Sequence, residues 1–202
     1  MIFFDSLPFV SFWVLAGMLA GRILMLKKQG VQVSSKDGKK NKTAMFLFPV
    51  FVIIFLLWFV EIIKPAFQLS FSILPEILTN DIFENIFLKI SGSVIIIFSL
   101  ILLAVTLIHF NTSLRFGLDK NNHGKLVTKG VFSISRNPFF LSLDIYFIGI
   151  TLIFPTMFFV GFALLVLVGI HSFILREEKF MLEVYKEEYE KYIKKVSRYF
   201  NF

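Results

Sequence analysis

Long apolar runs separated by short polar segments dominate the pattern of this chain. Three of the apolar runs are close to the length of about 20 residues that a bilayer-spanning helix needs, and they cover residues 7–26, 44–63 and 87–110. A fourth run, residues 139–175, is too long for one crossing, and Pro155 divides it near its middle. The pattern therefore predicts two further helices, 139–154 and 156–175, joined as a helical hairpin.

The predicted fold class is an all-α integral membrane protein with about five transmembrane helices. Residues 1–64 form a helix pair that serves as an anchor, and residues 87–202 form the core. Residues 65–86 connect the two along the membrane interface, because Pro75, Asn80 and Asp81 break up any continuous apolar helix there. The anchor carries no chemical signal, so anchoring and shaping an opening to the lipid are equally open roles for it.

Composition supports the membrane class. Of 202 residues, 56% are hydrophobic and 28 are phenylalanine, which is more than a soluble core of this size could bury. The chain has no cysteine, which excludes disulfides and thiol chemistry. The net charge of +7 does not indicate nucleic acid, because the lysines lie in loops between apolar runs.

The basic residues predict the orientation. Residues 27–43 contain six lysines and residues 111–138 contain five basic side chains, whereas residues 64–89 contain two against three acids. By the positive-inside rule the N-terminus lies outside and the C-terminus lies in the cytoplasm. The 27–43 segment is interpreted as a solvated loop, with contact to anionic lipid as the alternative.

The charged tail, residues 176–202, predicts an amphipathic helix on the cytoplasmic side. One stripe at spacings of three and four consists of Glu178, Leu182, Tyr185, Tyr189, Tyr192, Val196 and Tyr199. Such a helix could simply lie on the membrane, or fold back on the loop with its charges in water. A buried Glu178 would nevertheless need a partner, and a cationic ligand, Arg136 or Arg176 would serve.

The polar gap before the hairpin, residues 111–138, is unusually long for a loop in such an apolar chain, and it ends with HGKLVTKGVFSISRNP. Asn137 and Pro138 suit the N-cap and first position of the following helix, and that helix start beside Arg136 could hold a ligand carboxylate. Asp144 lies inside the span and should face the bundle, as a structural pair or as a substrate contact. No metal site is expected, because His109, His123 and His171 show no ligand spacing.

Two separated blocks, LVTKGVFSISRNPFF and REEKFML with EEYEKYIKKV, resemble the isoprenylcysteine carboxyl methyltransferase family and, more distantly, the membrane phospholipid methyltransferases. The resemblance covers about residues 111–198. It implies a membrane enzyme that uses S-adenosylmethionine without a Rossmann fold, at a pocket formed by the loop and the tail helix.

The resemblance also implies which residues line that pocket. Glu178, with Glu177, would hold the charged end of the cofactor, and the lining would comprise His123, Leu126, Val127, Gly130, Phe132, Asn137, Pro138 and Phe140. This chain departs from the family at Phe132 and Phe140, where tyrosine is common, and an extra residue separates His123 from Leu126.

The expected reaction is methyl transfer to a lipid-like or prenylated acceptor that enters from the bilayer. Carboxyl O-methylation is favoured, because a carboxylate is already ionised and Arg136 or Arg176 could orient it. The alternatives are N-methylation of a phospholipid or amine, and a non-catalytic scaffold or transporter subunit. Membrane lipid is the expected partner, and no obligate protein partner is evident.

Overall fold

The computed structural model describes residues 2–30, 42–113 and 124–200. The helices are α1 (Ile2–Lys28), α2 (Lys42–Ala66), α3 (Glu76–Thr79), α4 (Ile86–Phe110), α5 (Pro138–Ile153), α6 (Met157–Tyr185) and α7 (Glu187–Ile193). Within these ranges there is no strand, only an isolated bridge between Asp81 and Thr156. The protein is therefore an all-α, multi-pass integral membrane protein, as predicted.

Among the described residues, four helices, α1, α2, α4 and α6, are long and apolar enough to cross a membrane. Helix α5 has 16 residues and spans about 24 Å, which is less than the hydrocarbon thickness of about 30 Å. It is short because Pro138 begins it and Pro155 follows its end. The predicted hairpin is present, and its first arm is the shorter helix.

The connection between α2 and α4, which lies wholly within the described residues, contains no helix long enough to cross a membrane. It contains only the single turn α3 and packs against the turn between α5 and α6, where the Ile82 amide donates to the Pro155 carbonyl at 2.8 Å. In that turn Thr156 caps α6 by accepting from the Phe159 amide. The connection and the hairpin turn therefore lie at the same end of the bundle.

Helices α4 and α5 pack closely because two glycines meet where they cross. A Cβ atom on Gly92 would lie 2.6 Å from the Gly149 carbonyl oxygen, so no other residue fits there without movement. The apolar core beside this crossing includes Trp58, Ile96 and Ile150. This packing holds the start of α5 in place at the opposite end of the bundle.

The tail is divided between two helices, and its predicted stripe is largely buried, at Glu178, Tyr189, Tyr192 and Val196. Helix α6 continues without a break from the membrane to Tyr185, and Lys186 then adopts a left-handed conformation with φ of 47° before α7 begins. Leu182, a member of the predicted stripe, is 37% exposed. The break turns α7 back towards the segment that precedes α5.

Candidate functional site

Helix α5 begins at Pro138, and the residue before it acts differently from a usual N-cap. Asn137 occupies the N-cap position, but its side chain makes no capping hydrogen bond. Its side-chain nitrogen Nδ2 instead donates to Glu178 Oε1 at 3.2 Å and to the Arg198 carbonyl oxygen at 3.3 Å. Asn137 therefore connects α5 to α6 and to the C-terminal segment.

The carboxylate of Glu178 is buried and fully occupied by protein donors. Its Oε1 accepts from Nε and Nη2 of Arg136 at 3.3 and 3.0 Å and from Asn137. Its Oε2 accepts from Nε and Nη2 of Arg198 at 3.1 and 2.8 Å. A carboxylate offers about four acceptor positions, so little capacity remains for a ligand.

Arg198 was not predicted, although its guanidinium makes the shortest contact in this cluster. The hydrogen bonds and charge of Glu178 raise the pKa of Arg198 above its ordinary value. Arg136 anchors the same C-terminal segment: its Nη1 donates to the carbonyls of Ile193 and Val196, and its backbone amide donates to Ser197. The cluster thus fastens the tail to the start of α5.

A cavity of about 600 Å³ lies beside this cluster. Eight residues predicted from the sequence are among those that line it: Leu126, Val127, Phe132, Arg136, Asn137, Pro138, Phe140 and Glu177. The other four site residues are placed differently. Gly130, Arg176 and Glu178 are not among the lining residues, and His123 lies outside the described residues.

Gly130 shapes the loop that borders the cavity. Its φ is +66°, a conformation that favours glycine, and a Cβ atom there would lie 2.1 Å from the His109 ring. Gly130 therefore lets the loop pack directly on the end of α4. The resemblance placed Gly130 in the pocket lining, whereas the structure places it against the His109 ring.

Glu177 is the acidic residue that faces the cavity. It is half-buried, and it has no hydrogen-bond or ion-pair partner among the residues that the structure describes. Lys125 also lines the cavity, and its ammonium group is likewise unpaired within the described part of the chain. A carboxylate and an ammonium group that have no partners in the described part of the chain can bind the two charges of a zwitterionic ligand.

Aromatic rings surround these charges. Tyr185, Tyr189, Tyr192 and Phe132 line the cavity, and the hydroxyl groups of Tyr185 and Tyr192 donate to the carbonyls of Gly124 and Phe132. Burial raises the pKa of the Tyr192 hydroxyl above its ordinary value, so the group stays neutral. The ring faces can attract a cation or stack on a flat ring system.

The other end of the cavity is apolar and lies between two helices long enough to span the membrane. It is lined on α2 by Val50, Phe51 and Ile54, and on α6 by Leu165, Val166, Gly169, Ile170 and Phe173. Sequence reasoning did not assign α2 to the site. The lining residues on the two helices are more than 100 residues apart in sequence, and no motif on α2 indicated contact with α6.

Asp144 is buried, as predicted, but it does not line the cavity. Its Oδ1 has no hydrogen-bond partner among the described residues. Nearby, His171 Nδ1 and the Tyr199 hydroxyl form a hydrogen bond of 2.7 Å, which joins α6 to the end of the tail. Among the described residues, no group of three His, Asp or Glu side chains could hold a metal ion.

Comparison with known proteins gives a match over half of the chain, which contains most but not all residues of this site. The family model described as phospholipid methyltransferase matches residues 87–188, from the start of α4 to the start of α7. Searches of curated proteins and of solved structures both gave no match. The chain, a multi-pass membrane protein with an aromatic, charge-lined cavity, thus belongs to the family of isoprenylcysteine and phospholipid methyltransferases.

Proposed function

We propose that this protein transfers a methyl group from S-adenosylmethionine to an acceptor carried on a lipid. The observation that carries the proposal is the Glu177 carboxylate, which has no partner among the described residues and lies in an aromatic cavity that continues between two membrane helices. The cavity volume of about 600 Å³ lies within the range of about 300–1,000 Å³ that is usual for ligand pockets.

The residues present fit the cofactor. Glu177 would bind its positive end, Lys125 would bind its carboxylate, and the faces of Tyr189 and Phe132 suit its adenine ring. When bound, the cofactor supplies a methyl group on a positively charged sulfur. The protein's own contribution is to position the two reactants and to exclude water from the cavity.

Glu178 has a different proposed role from the one that the resemblance implies. Because Arg136, Asn137 and Arg198 occupy its carboxylate, we assign it the positioning of the cavity wall. Arg176 is exposed and lies outside the lining, so we do not retain it as a group that orients the acceptor.

The favoured acceptor is a carboxylate, and charge supports this choice. Arg136 and Arg198 share one glutamate, so the cluster keeps a net positive charge, and Lys125 adds another against Glu177. A cavity whose side chains carry this net positive charge, and which also holds a cationic cofactor, favours an anionic acceptor. A carboxylate also needs no base to remove a proton.

N-methylation of an amine-bearing phospholipid is the second candidate. The observation that favours it is again Glu177, whose carboxylate could accept a proton from an ammonium group. The description of the matched family agrees with this acceptor class.

Radiolabelled methyl transfer separates the candidates. Purified protein in vesicles of extracted membrane lipid is incubated with methyl-labelled S-adenosylmethionine, and the lipid fraction is treated with base. Release of volatile label is the expected result for a methyl ester, whereas base-stable label supports N-methylation. A wild-type protein that places no label in lipid would contradict the proposed function.

We also propose that the cavity opens towards the cytoplasm. The support is the positive-inside rule, since the loops at this end carry most of the lysines and arginines. The cofactor is soluble and would enter from this side.

A further inference from the structure

We propose that α2 and α6 form a groove for the hydrocarbon chain of the acceptor, and that Gly169 limits what this groove admits. The inference rests on the proposed function, and it assigns the N-terminal helix pair a part in substrate selection. Its occupant is an aliphatic chain whose head group lies at the charged end of the same cavity.

The wall on α6 is a continuous apolar stripe. Its residues follow the helical spacing of three and four, and they are Leu165, Val166, Gly169, Ile170 and Phe173. By helical rise this stripe is about 12 Å long. On the facing helix α2 the wall is formed by Val50, Phe51 and Ile54. No side chain in either wall can form a hydrogen bond, so only an apolar occupant fits.

The groove is exposed to the surrounding lipid at both ends of its α6 wall, whereas Val166 within it is buried. Phe51 and Leu165 are each 43% exposed and Phe173 is 39% exposed, although all three line the cavity. A chain could therefore enter sideways between the two helices without crossing the polar end of the cavity.

Continuity with the charged end identifies the occupant. Glu177 lies one helical turn beyond Phe173 on α6 and lines the same cavity. A molecule that fills both ends needs a polar or charged head and an apolar chain. A lipid-borne acceptor has this chemistry, whereas a soluble metabolite would leave the apolar walls without a contacting ligand.

Gly169 offers a direct test because space beside it is open. A Cβ atom on Gly169 would have no heavy atom within 4 Å, so a leucine there would extend into the groove without a clash at its base. Gly161 is a matched control on the same helix: it is equally open, but it does not line the cavity. Leucine has a higher helix propensity than glycine, so neither substitution should weaken α6 through its backbone.

The experiment uses the full chain in vesicles with a photoreactive probe, a long-chain carboxylate that carries a diazirine at mid-chain. After illumination, labelled residues are mapped by mass spectrometry in wild type, Gly169→Leu and Gly161→Leu. We expect labelling of residues 50–54 and 165–173 in wild type. Gly169→Leu should lower it at least about fivefold, because an added side chain competes for the volume, and Gly161→Leu should leave it unchanged.

Equal labelling in wild type and Gly169→Leu would overturn the inference. Labelling spread evenly over the lipid-facing helices, or cross-links between two copies of the chain, would overturn it as well. Thermal unfolding checks that each variant is folded, and Gly169→Ala, which should give an intermediate loss, replaces Gly169→Leu if that variant unfolds.

The labelling needs no methyl transfer, so the two hypotheses can fail separately. An active wild type without label in the groove would contradict the chain site alone. A labelled wild type that transfers no methyl group to lipid would contradict the proposed function.

Discussion

Glu177 and Glu178 are neighbours in sequence but have different surroundings. Successive residues in a helix point about 100° apart, so one carboxylate faces the cavity and the next faces the start of α5. Glu178 is held by Arg136 and Arg198, and Glu177 is unpaired among the described residues. The difference predicts opposite effects of the same substitution.

Glu178→Gln should destabilise the protein, and Glu177→Gln should not. Removing one partner of a buried ion pair costs about 3–5 kcal/mol, and we expect the lower end because Arg198 remains one-third exposed. Glu177→Gln should change stability by less than about 1 kcal/mol. Thermal unfolding in detergent measures both, and equal losses would contradict the assignment.

Gly130→Ala should loosen the loop beside the cavity. The left-handed φ strains any other residue, and the added Cβ would collide with the His109 ring. We expect a loss of about 1–3 kcal/mol in unfolding free energy. His109→Ala combined with Gly130→Ala should recover the part of the loss that comes from the collision. No recovery would mean that backbone strain alone accounts for the loss.

Sequence reasoning identified the buried carboxylate but not all of its partners. A stripe at helical spacing placed Glu178 on a packed face, and Arg136 was a candidate partner. Arg198 was missed, because its position depends on the turn at Lys186. That turn has a positive φ but no glycine, so the sequence gives no signal for it. The free carboxylate could not be chosen either, since that choice depends on the rotation of α6.

At the scale of helices, the crossing of α4 and α5 determines where the site lies. Gly92→Ala should lower the free energy of unfolding of the protein by about 1–3 kcal/mol, because the added Cβ would lie 2.6 Å from the Gly149 carbonyl oxygen. Gly17→Ala on α1 is the control, since a Cβ atom there meets nothing within 4 Å. Thermal unfolding that affects both variants equally would contradict a specific role for the crossing.

Most helices could be predicted because a bilayer requires long apolar segments with internally satisfied backbone. The same reasoning divided the hairpin at Pro155 and excluded a span in residues 65–86. It did not locate the break in the tail, because the periodicity continues through Lys186 although the helix ends there. The pairing of α2 with α6 was also not predictable, because lipid-facing and cavity-facing residues are equally apolar.

For the whole molecule, the orientation in the membrane is the main prediction. The chain has no cysteine, so a single introduced cysteine shows which side of the membrane its position faces without background labelling. We expect Ser72→Cys to react with an impermeant maleimide in intact cells and Gln29→Cys to react only after lysis. Both native residues are exposed at opposite ends of the bundle. The reverse pattern would contradict a cytoplasmic cavity.

Calorimetric titration of the purified protein with S-adenosylmethionine tests most directly whether the cavity binds the cofactor through Glu177. Wild type and Glu188→Gln, an exposed control on α7, should bind equally. Glu177→Gln should bind about 10-fold to 100-fold more weakly, as expected for loss of a hydrogen bond to a charged group. Absence of binding in wild type, or equal binding by Glu177→Gln, would contradict this claim.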